Sequence, residues 1–384
     1  MKVLFFCRKM PDLCGAFLHD IDFATELQRR GHQVAFLTIL KPDEGYNGGV
    51  FRGFRFMHYT AAGPLLDTAD LLVTPHSPIL PDVRKINGRA YNRPIVATCH
   101  FDGNYTAITG NSSTAWSEML LFVNSVMEAN YRKNIAPWPA QIERTGLVRP
   151  ILNRDAITIS EPFQGDCITL INANQNKGQN VFLELARRMP DRKFLGVLPY
   201  YGERHVAQSP GNVEWIPFSN DIRDILRRTR ILLVPSYYES FGRVAVEAML
   251  NGIPVLYSKP AKNSPYPGGS TEGLQSWIEP AGIACDRDAP ADWVEVLRAL
   301  EDPDTYAAKR EEVQAHIEAQ DFFSEGPRIA SLIEGFAKAH PVVVKVVARE
   351  ETAKRPAEPG RFVQPAVGRP VGVGFSSGRL NIRR

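Results

Sequence analysis

Residues 230–258, RILLVPSYYESFGRVAVEAMLNGIPVLYS, contain an apolar run, a polar loop, a segment with helical spacing and a second apolar run. The pattern predicts a strand that ends near Pro235, a helix that begins near Phe241 or Gly242, and a strand over residues 253–257. Apolar runs that alternate with helical stretches are typical of a parallel sheet covered by helices. This stretch therefore predicts an α/β fold, with the loop after Pro235 at the sheet edge where such folds bind ligands.

The same alternation extends through most of the chain. KVLFFC (2–7), a turn containing Gly15, a helical stretch ended by Gly31 and QVAFLTI (33–39) predict a strand–helix–strand unit. Further strands are predicted at residues 70–74, 94–99, 120–125, 167–172, 193–198, 212–216, 230–235, 253–257 and 282–285. These strands fall into two series, which indicates two sheets.

The length of 384 residues exceeds one ordinary core and suits two domains. A polar segment bracketed by Pro150 and Pro162 predicts the boundary near residues 146–162. After residue 341 the chain is rich in Pro, Gly, Arg and Val and has nine Lys and Arg against three Glu. That composition predicts a basic, largely disordered tail over residues 341–384.

Composition excludes several classes of protein. The chain is 44% hydrophobic with a net charge of +3, and it has no apolar run of about 18 residues that would predict a membrane-spanning helix. Its five cysteines are scattered without a C-x-x-C pair, which argues against a disulfide framework or a zinc site. The amino terminus is unlike a secretory signal. We therefore expect a cytoplasmic protein, with peripheral contact to the inner membrane surface as an option.

Two glutamates follow the strand that ends at Pro235. Glu239 lies in the loop and Glu247 within the next helix, so both are expected at the ligand-binding edge of the sheet. The amides of the first helical residues are free donors that suit a diphosphate. These residues are Ser240, Phe241, Gly242 and Arg243. The pattern predicts a site for a phosphorylated ligand.

The segment resembles the E-x7-E signature of family 4 retaining glycosyltransferases, since the flanking S-F-G, E-A-M and G-x-P-V-x-x-S also fit. The resemblance covers roughly residues 1–340 and implies the GT-B fold, in which two Rossmann-like domains face each other across a cleft. It implies an amino-terminal acceptor domain (1–150), a carboxyl-terminal nucleotide-sugar domain (151–325) and a helix (326–340) that crosses back.

The resemblance also implies roles for single residues. Glu239 would bond hydroxyls of the donor sugar, and Glu247 those of the ribose. Lys177, in Asn176-Lys177-Gly178, would contact the phosphates. His100, in CHFDG, would face the sugar near its reacting carbon.

Two further positions are implied by the same family. Gly15 would lie near the phosphates, although the loop has only one of the usual two glycines. The base would lie against the backbone around Ile216 and Pro217. A departure is Asn172, where the family usually has an Arg, so either Arg243 or another basic group compensates or the donor is held differently.

Three D-x-D patterns raise the question of metal dependence. These are Asp20 with Asp22, Asp286 with Asp288, and Asp302 with Asp304. One lies within a predicted helix and the others flank a late helix, so we interpret all three as coincidence. We expect no cofactor, because the nucleotide-diphosphate sugar is a substrate. We also expect no metal, because Lys177 and the helix amides would neutralise the charge of the leaving diphosphate.

The acceptor is indicated only by a basic stripe, for which a merely solvated face is the alternative interpretation. Lys85, Arg89 and Arg93 recur at four-residue spacing, and Arg84 adds to them. Such a stripe suits an anionic membrane surface beneath a lipid-linked or cell-surface glycan precursor, or DNA in an enzyme that glycosylates modified bases. A relative without transferase activity, such as an epimerase or a nucleotide-sugar binding subunit, is a further alternative. The sequence leaves the oligomeric state open.

Overall fold

The structure, a computed structural model, describes residues 1–10, 14–41, 49–75, 79–101, 117–135, 137–200, 208–219, 221–260 and 271–342. Within these ranges the side chains of residues 89 and 90 are not described. The chain forms two sheets with helices against them. The tail predicted at 341–384 lies outside the described residues, apart from its first two.

The first sheet is built from residues 2–147. Its described strands are β1 (Lys2–Cys7), β2 (Gln33–Thr38), β3 (Val50–Phe51), β4 (Phe54–His58), β5 (Leu71–Pro75), β6 (Ile95–Cys99), β7 (Met119–Phe122) and β8 (Arg144–Leu147). They lie in the order β3-β4-β2-β1-β5-β6-β7-β8. The short β3–β4 pair is antiparallel and the other pairs are parallel, so the carboxyl ends of the parallel strands meet at one edge.

The helices of this half are α1 (Gly15–Arg29), α2 (Gly63–Thr68), α3 (Leu80–Ala90) and α4 (Ser125–Asn134). Helix α1 begins after Cys14, whose Sγ accepts a hydrogen bond from the Phe17 amide at 3.4 Å. Its apolar face is buried on the sheet, and the rings of Phe23 and Phe5 meet edge to face at 5.5 Å. Burying each ring contributes about 2–3 kcal/mol. This packing fixes the orientation of the polar residues of α1.

The second sheet is built from residues 167–285 and is parallel throughout its described pairs. Its strands are β9 (Cys167–Ile171), β10 (Lys193–Val197), β11 (Val213–Ile216), β12 (Thr229–Val234), β13 (Val255–Ser258) and β14 (Ile283–Cys285). They lie in the order β11-β10-β9-β12-β13-β14. The order turns at β9 and β12, which places the loops after these two strands side by side.

The remaining helices are α5 (Arg154–Ile157), α6 (Gln179–Arg188), α7 (Ile222–Leu226), α8 (Arg243–Met249), α9 (Glu272–Ile278), α10 (Pro290–Ala299), α11 (Pro303–Ala319) and α12 (Glu325–Ala339). Helix α12 packs against the first half. Its buried Ile329, Ala330, Ile333 and Phe336 belong to the same apolar cluster as β1 and α1. On its polar side Glu334 accepts hydrogen bonds from Arg30 of α1 at 2.7 and 2.8 Å.

Every strand predicted above is present, with ends that differ by at most three residues. The largest difference is at 120–125, where the strand ends at Phe122 and Asn124 caps helix α4. Strands β3, β4 and β8 were not predicted, because β3 and β8 are short and all three have exposed or half-buried residues. The fold is the α/β, two-sheet architecture that the apolar pattern predicts.

Candidate active site

A cavity of about 1400 Å³ is lined by residues of both halves of the chain. We call the cleft-lining residues of α1, with Arg52, His100 and Phe101, the amino-terminal wall. The cleft-lining residues between positions 170 and 247 form the carboxyl-terminal wall. The loops that follow parallel strands supply much of both walls, as expected of open α/β sheets.

Lys177 and Glu239 meet in the carboxyl-terminal wall. The Lys177 Nζ lies 2.6 Å from Glu239 Oε1, which also accepts a hydrogen bond from Ser236 Oγ at 2.8 Å. The Glu239 residue is 7% exposed, so its charge is largely removed from water. A buried carboxylate needs such partners. The two residues follow β9 and β12, the neighbouring strands at which the sheet order turns.

A tight turn holds Lys177. Its amide donates to the Asn174 side chain at 3.0 Å, and Gly178 follows with φ +84°. At Gly178 a Cβ would lie 2.2 Å from the carbonyl oxygen of Pro235, so only glycine allows the two loops to approach this closely. This contact brings the loop after β9 against the loop after β12.

Arg243 and Glu247 lie on α8, the helix that follows the second loop. The Arg243 Nε donates to Glu247 Oε1 at 2.8 Å, and Nη1 donates to Asp22 Oδ2 of the amino-terminal wall at 2.5 Å. Burial raises the pKa of the Glu247 carboxyl, which Arg243 opposes and the charge of Asp22 reinforces. Two carboxylates thus share one guanidinium inside the cleft.

Ser240, Phe241 and Gly242 also line the cleft, as predicted for the start of this helix. Gly242 has φ +79° and provides no side-chain cap. Helix α8 has only seven residues, so its aligned backbone dipoles are few. The positive charge of this wall therefore comes mainly from the side chains of Lys177 and Arg243.

His100 lies at the end of β6 in a buried cluster with His19 and Asp20 of α1. Asp20 Oδ1 lies 3.4 Å from His19 Nδ1, 3.7 Å from His100 Nε2 and 3.3 Å from Thr98 Oγ1. Burial raises the pKa of the Asp20 carboxyl, but the two imidazoles outweigh it and hold the pKa below its ordinary value. Burial lowers the pKa of the His100 imidazole more than Asp20 raises it.

The same cluster offers a ligand set for a metal ion. One possible ligand atom from each of His19, Asp20 and His100 lies within 4.8 Å of the others. Among the described residues, this is the group of three such side chains that could hold a metal ion. Two imidazoles and a carboxylate suit Zn²⁺. Hydrogen bonds from Thr98 and His19 satisfy Asp20, whereas the Nε2 atoms of His19 and His100 are buried without a hydrogen-bond partner in the described part of the chain. Hydrogen bonding therefore explains the position of Asp20 but not that of the two imidazoles.

The two walls touch each other at the sugar-facing end predicted for His100. Asn124 Nδ2 donates to the carbonyl oxygen of Ser240. Tyr238 OH donates to the carbonyl oxygen of His100 at 3.3 Å, and the Tyr238 ring stacks on Phe101 at 5.9 Å. These contacts hold the loop that carries Glu239 against the first half.

Gly15 lines the cleft at the start of α1, and a Cβ there would meet nothing within 4 Å. The structure therefore gives no steric reason for a glycine at this position. Ile216 ends β11, and its carbonyl oxygen already accepts from the Leu198 amide at 2.9 Å. It does not line the cleft, whereas Phe218 and Tyr200 do. The backbone contact predicted for Ile216 is thus used within the sheet.

The basic residues in and after α3 do not form the predicted stripe. Arg84 pairs with Glu118 at 2.8 Å, and Arg93 is 6% exposed and donates to the Asp67 carbonyl oxygen at 2.7 Å. Lys85 is exposed, and the Arg89 side chain lies outside the described atoms. Spacing alone misassigned Arg84 and Arg93, because both are bonded within the first half. None of Arg84, Lys85 and Arg93 lines the cleft.

The aspartates of the D-x-D patterns have separate contacts. Asp20 and Asp22 bond different partners, as described above. Asp286 accepts from the Asp288 amide at 2.9 Å, and Asp302 caps α11 by accepting from the Thr305 amide at 2.8 Å. The two late patterns thus include turn and cap residues, consistent with their interpretation as coincidence.

Residues 201–313 match the family model described as glycosyl transferases group 1. The described fold is similar to the Anabaena protein HepE in complex with UDP and glucose, with a TM-score of 0.66 at 16% identity over 87% of this chain and 100% of that chain. Sucrose-phosphate synthase from Thermosynechococcus elongatus has a TM-score of 0.67 at 13% identity, over 88% of this chain and 100% of that chain. The fold is GT-B, with a group 1 glycosyltransferase segment in its carboxyl-terminal half.

Curated relatives of this GT-B chain are similar over a shorter stretch. D-inositol 3-phosphate glycosyltransferase from Corynebacterium kroppenstedtii is 31% identical over 126 residues, which are 32% of this chain and 26% of that protein. The protein of the same name from Gordonia bronchialis is 30% identical over 120 residues, which are 31% of this chain and 23% of that protein. The matched stretch spans about a quarter of these relatives. Among the described residues, no helix is long and apolar enough to cross a membrane.

Sequence reasoning missed several cleft residues of the GT-B fold. Asp22 was set aside as part of a chance D-x-D pattern, although it bonds Arg243 across the cleft. Asn124 was included in a strand, although Asn before a helical stretch is a capping signal that could have identified it. Tyr238 carried no signal, because its contact with His100 depends on the approach of two distant segments.

Proposed function

We propose that this protein is a retaining glycosyltransferase, which moves a sugar from a nucleotide-diphosphate sugar to an acceptor hydroxyl. The observation that carries the proposal is the contact of 2.6 Å between Lys177 Nζ and Glu239 Oε1 in a cleft lined by both halves. A cation beside a buried carboxylate suits a ligand that joins phosphate to sugar, because the ammonium binds phosphate oxygens and the carboxylate accepts sugar hydroxyls. The group 1 segment and the GT-B fold support the same reaction class.

In the proposed complex, Lys177 lies against the diphosphate and Glu239 accepts hydroxyls of the sugar. Glu247 has one carboxylate oxygen bonded to Arg243, and the other can accept ribose hydroxyls. His100 faces the sugar from the amino-terminal wall. The donor would thereby be held at both walls of the cleft, which positions its anomeric carbon for attack.

The proposed reaction keeps the configuration of that carbon. The bond between the anomeric carbon and the phosphate oxygen breaks, and the acceptor oxygen bonds to the same face of the carbon. The acceptor proton passes to the departing phosphate. Lys177 stabilises the negative charge on the leaving group as a cation that is already in place, and no metal or cofactor is required in this proposal.

The acceptor is proposed to be a hydroxyl of a lipid-linked or cell-surface glycan precursor. The names of the curated relatives specify D-inositol 3-phosphate, which gives a second acceptor to test. Duplex DNA carrying a modified base is the third. Release of nucleoside diphosphate that accelerates with one of these acceptors, and a product that contains the sugar, would assign the acceptor class.

The first experiment is a thermal-shift screen with UDP-glucose, UDP-N-acetylglucosamine, GDP-mannose and ADP-glucose. A donor at about 100 times its Kd stabilises the folded state by about 2.7 kcal/mol, so one of them should raise the Tm. That donor should also be hydrolysed slowly without acceptor. An epimerase or binding subunit would release no nucleoside diphosphate.

The matched variants are Glu239→Gln in the cleft and Glu184→Gln on α6, where Glu184 pairs with Arg188 on the surface. We expect Glu239→Gln to lose donor hydrolysis by about 100-fold or more, and Glu184→Gln to retain it. Full activity in Glu239→Gln, or the absence of a Tm shift with every donor, would contradict the proposed function.

A further inference from the structure

Three charged side chains join the two walls of the cleft. Arg243 bonds Glu247 on its own helix at 2.8 Å and Asp22 on α1 at 2.5 Å. The exposed fractions of these side chains are 17% for Arg243, 9% for Glu247 and 14% for Asp22. The bridge between Asp22 and Arg243 is therefore a partly buried ion pair between residues 221 positions apart.

The charges of this triad do not balance. Two carboxylates share one guanidinium, so the triad has an excess of one negative charge. The raised pKa of Glu247 has burial as its main cause and Asp22 as a contributor. Removing the charge of Asp22 would leave Arg243 and Glu247 as a neutral pair. Either carboxylate alone would balance Arg243, and Asp22 is the one that comes from the opposite wall.

A diphosphate bound in this cleft needs more positive charge than Lys177 supplies. The Lys177 ammonium is already paired with Glu239, and it is a single charge facing a group with two. Arg243 follows Glu239 by four residues and lines the same wall. A guanidinium binds carboxylate and phosphate oxygens with the same forked geometry, so either can occupy it.

We propose that Arg243 is a second diphosphate-binding cation, which exchanges Asp22 for the phosphate oxygens when a donor binds, and that Asp22 thereby sets donor affinity. The proposal rests on the proposed function. The intramolecular carboxylate competes with the phosphate for one guanidinium. Each binding event also breaks an ion pair between the two walls, which couples donor binding to the contact between them.

The experiment measures binding of UDP, GDP and ADP by titration calorimetry to the full chain and its variants. Asp22→Asn keeps the side-chain shape and removes the competing charge. Arg243→Ala removes the cation, and Arg243→Lys keeps the charge without the fork. The matched control is Glu334→Gln, which removes a different ion pair between α1 and a late helix, outside the cleft. Lys177→Met tests nucleotide binding itself.

For the nucleotide that binds, Asp22→Asn should tighten the affinity by about 3- to 10-fold. Arg243→Ala should weaken it by about 10-fold or more, with Arg243→Lys between Arg243→Ala and the unaltered chain. In the double variant that combines Asp22→Asn with Arg243→Ala, the gain from Asp22→Asn should disappear, because no guanidinium is left to be released for the phosphate. Glu334→Gln should bind as the unaltered chain does.

Three outcomes overturn the inference in different ways. If Asp22→Asn binds no more tightly than the unaltered chain while Lys177→Met loses binding, the exchange is wrong and the proposed function stands. If none of the three nucleotides binds the unaltered chain, the proposed function fails together with the inference. A gain from Asp22→Asn that persists without Arg243 would also overturn the exchange.

Discussion

The two walls of the cleft are built in different ways. In the carboxyl-terminal wall, Lys177 and Glu239 come from loops that follow neighbouring strands of one sheet, and a tight turn at Gly178 brings the loops together. In the amino-terminal wall, the His100 ring lies 3.7 Å from Asp20 of α1, and Asp22 of the same helix bonds Arg243 across the cleft. The first wall is organised by local backbone geometry, and the second by contacts between distant segments.

This difference has a consequence for substitutions. Damage to the carboxyl-terminal wall should change the backbone that holds the site, and so change stability strongly. Damage to contacts between the walls should change stability less, and affect ligand binding through the position of one wall against the other. Gly178→Ala and Asn124→Ala test this distinction.

The largest effect is expected from Gly178→Ala. The position has φ +84°, and the added Cβ would lie 2.2 Å from a backbone oxygen of Pro235. Backbone strain and overpacking together should lower the free energy of unfolding by about 2–4 kcal/mol, measured by urea denaturation. The displaced loop should also lose donor binding.

The control is Gly88→Ala in helix α3, where a Cβ would meet nothing within 4 Å. This change should stabilise the protein by about 0.5–1 kcal/mol, since alanine favours a helix. Equal and small effects at both positions would show that the turn at Gly178 does not hold the wall.

A smaller effect is expected from Asn124→Ala. Asn124 caps α4 by accepting from the Met127 amide at 2.7 Å, and it donates to Ser240 in the opposite wall. Loss of the cap should cost about 1 kcal/mol and loss of the donated bond about 1 kcal/mol more. Because Ser240 adjoins Glu239, donor binding should weaken as well.

Asp302→Ala separates these two roles. Asp302 caps α11 through the Thr305 amide at 2.8 Å, and it does not line the cleft. The Asp302→Ala variant should lose about 1 kcal/mol of stability and keep the donor affinity of the unaltered protein. If both variants lose donor affinity equally, the contact between Asn124 and Ser240 has no part in the site.

The same distinction explains what the sequence predicts. Strands such as 167–172 and 230–235 were predicted because a buried parallel strand is a continuous apolar run, and Glu239 and Lys177 follow from their positions after these strands. The bond between Asp22 and Arg243 spans 221 positions, and that between Asn124 and Ser240 spans 116. No local pattern encodes such pairs, so they depend on how the two sheets are brought together.

Arg93 illustrates the opposite failure. A four-residue spacing of basic residues predicted an exposed stripe, but Arg93 lies beyond the end of α3 and is buried. Its backbone amide donates to the Asn87 side chain at 2.7 Å, which fixes the chain before β6. A regular spacing of basic residues predicts an exposed charged stripe only where the helix continues through all of them and their side chains have no partners within the protein.

The smallest effect is expected from Glu334→Gln, which removes the ion pair between α12 and α1 away from the cleft. Arg30 and then His32 hold the pKa of the Glu334 carboxyl down to about 2, from an ordinary 4.5. A carboxylate with a lowered pKa stabilises the folded state above its unfolded pKa, and this stabilisation is lost as the pH falls through the folded pKa. Because the side chain is 30% exposed, solvent screens the pair and the loss at about pH 7 should be only about 0.5–1 kcal/mol.

Urea denaturation of both proteins from about pH 7 to about pH 3 would measure this difference. It should shrink as the pH falls below 4.5, because the unfolded chain then takes up a proton at Glu334 while the folded carboxyl, with its pKa of about 2, stays ionised. A difference that stays constant with pH would mean that shape and packing, and not charge, account for the contribution of Glu334. In that case α12 would be held on α1 by its apolar face alone, through Ile329, Ile333 and Phe336.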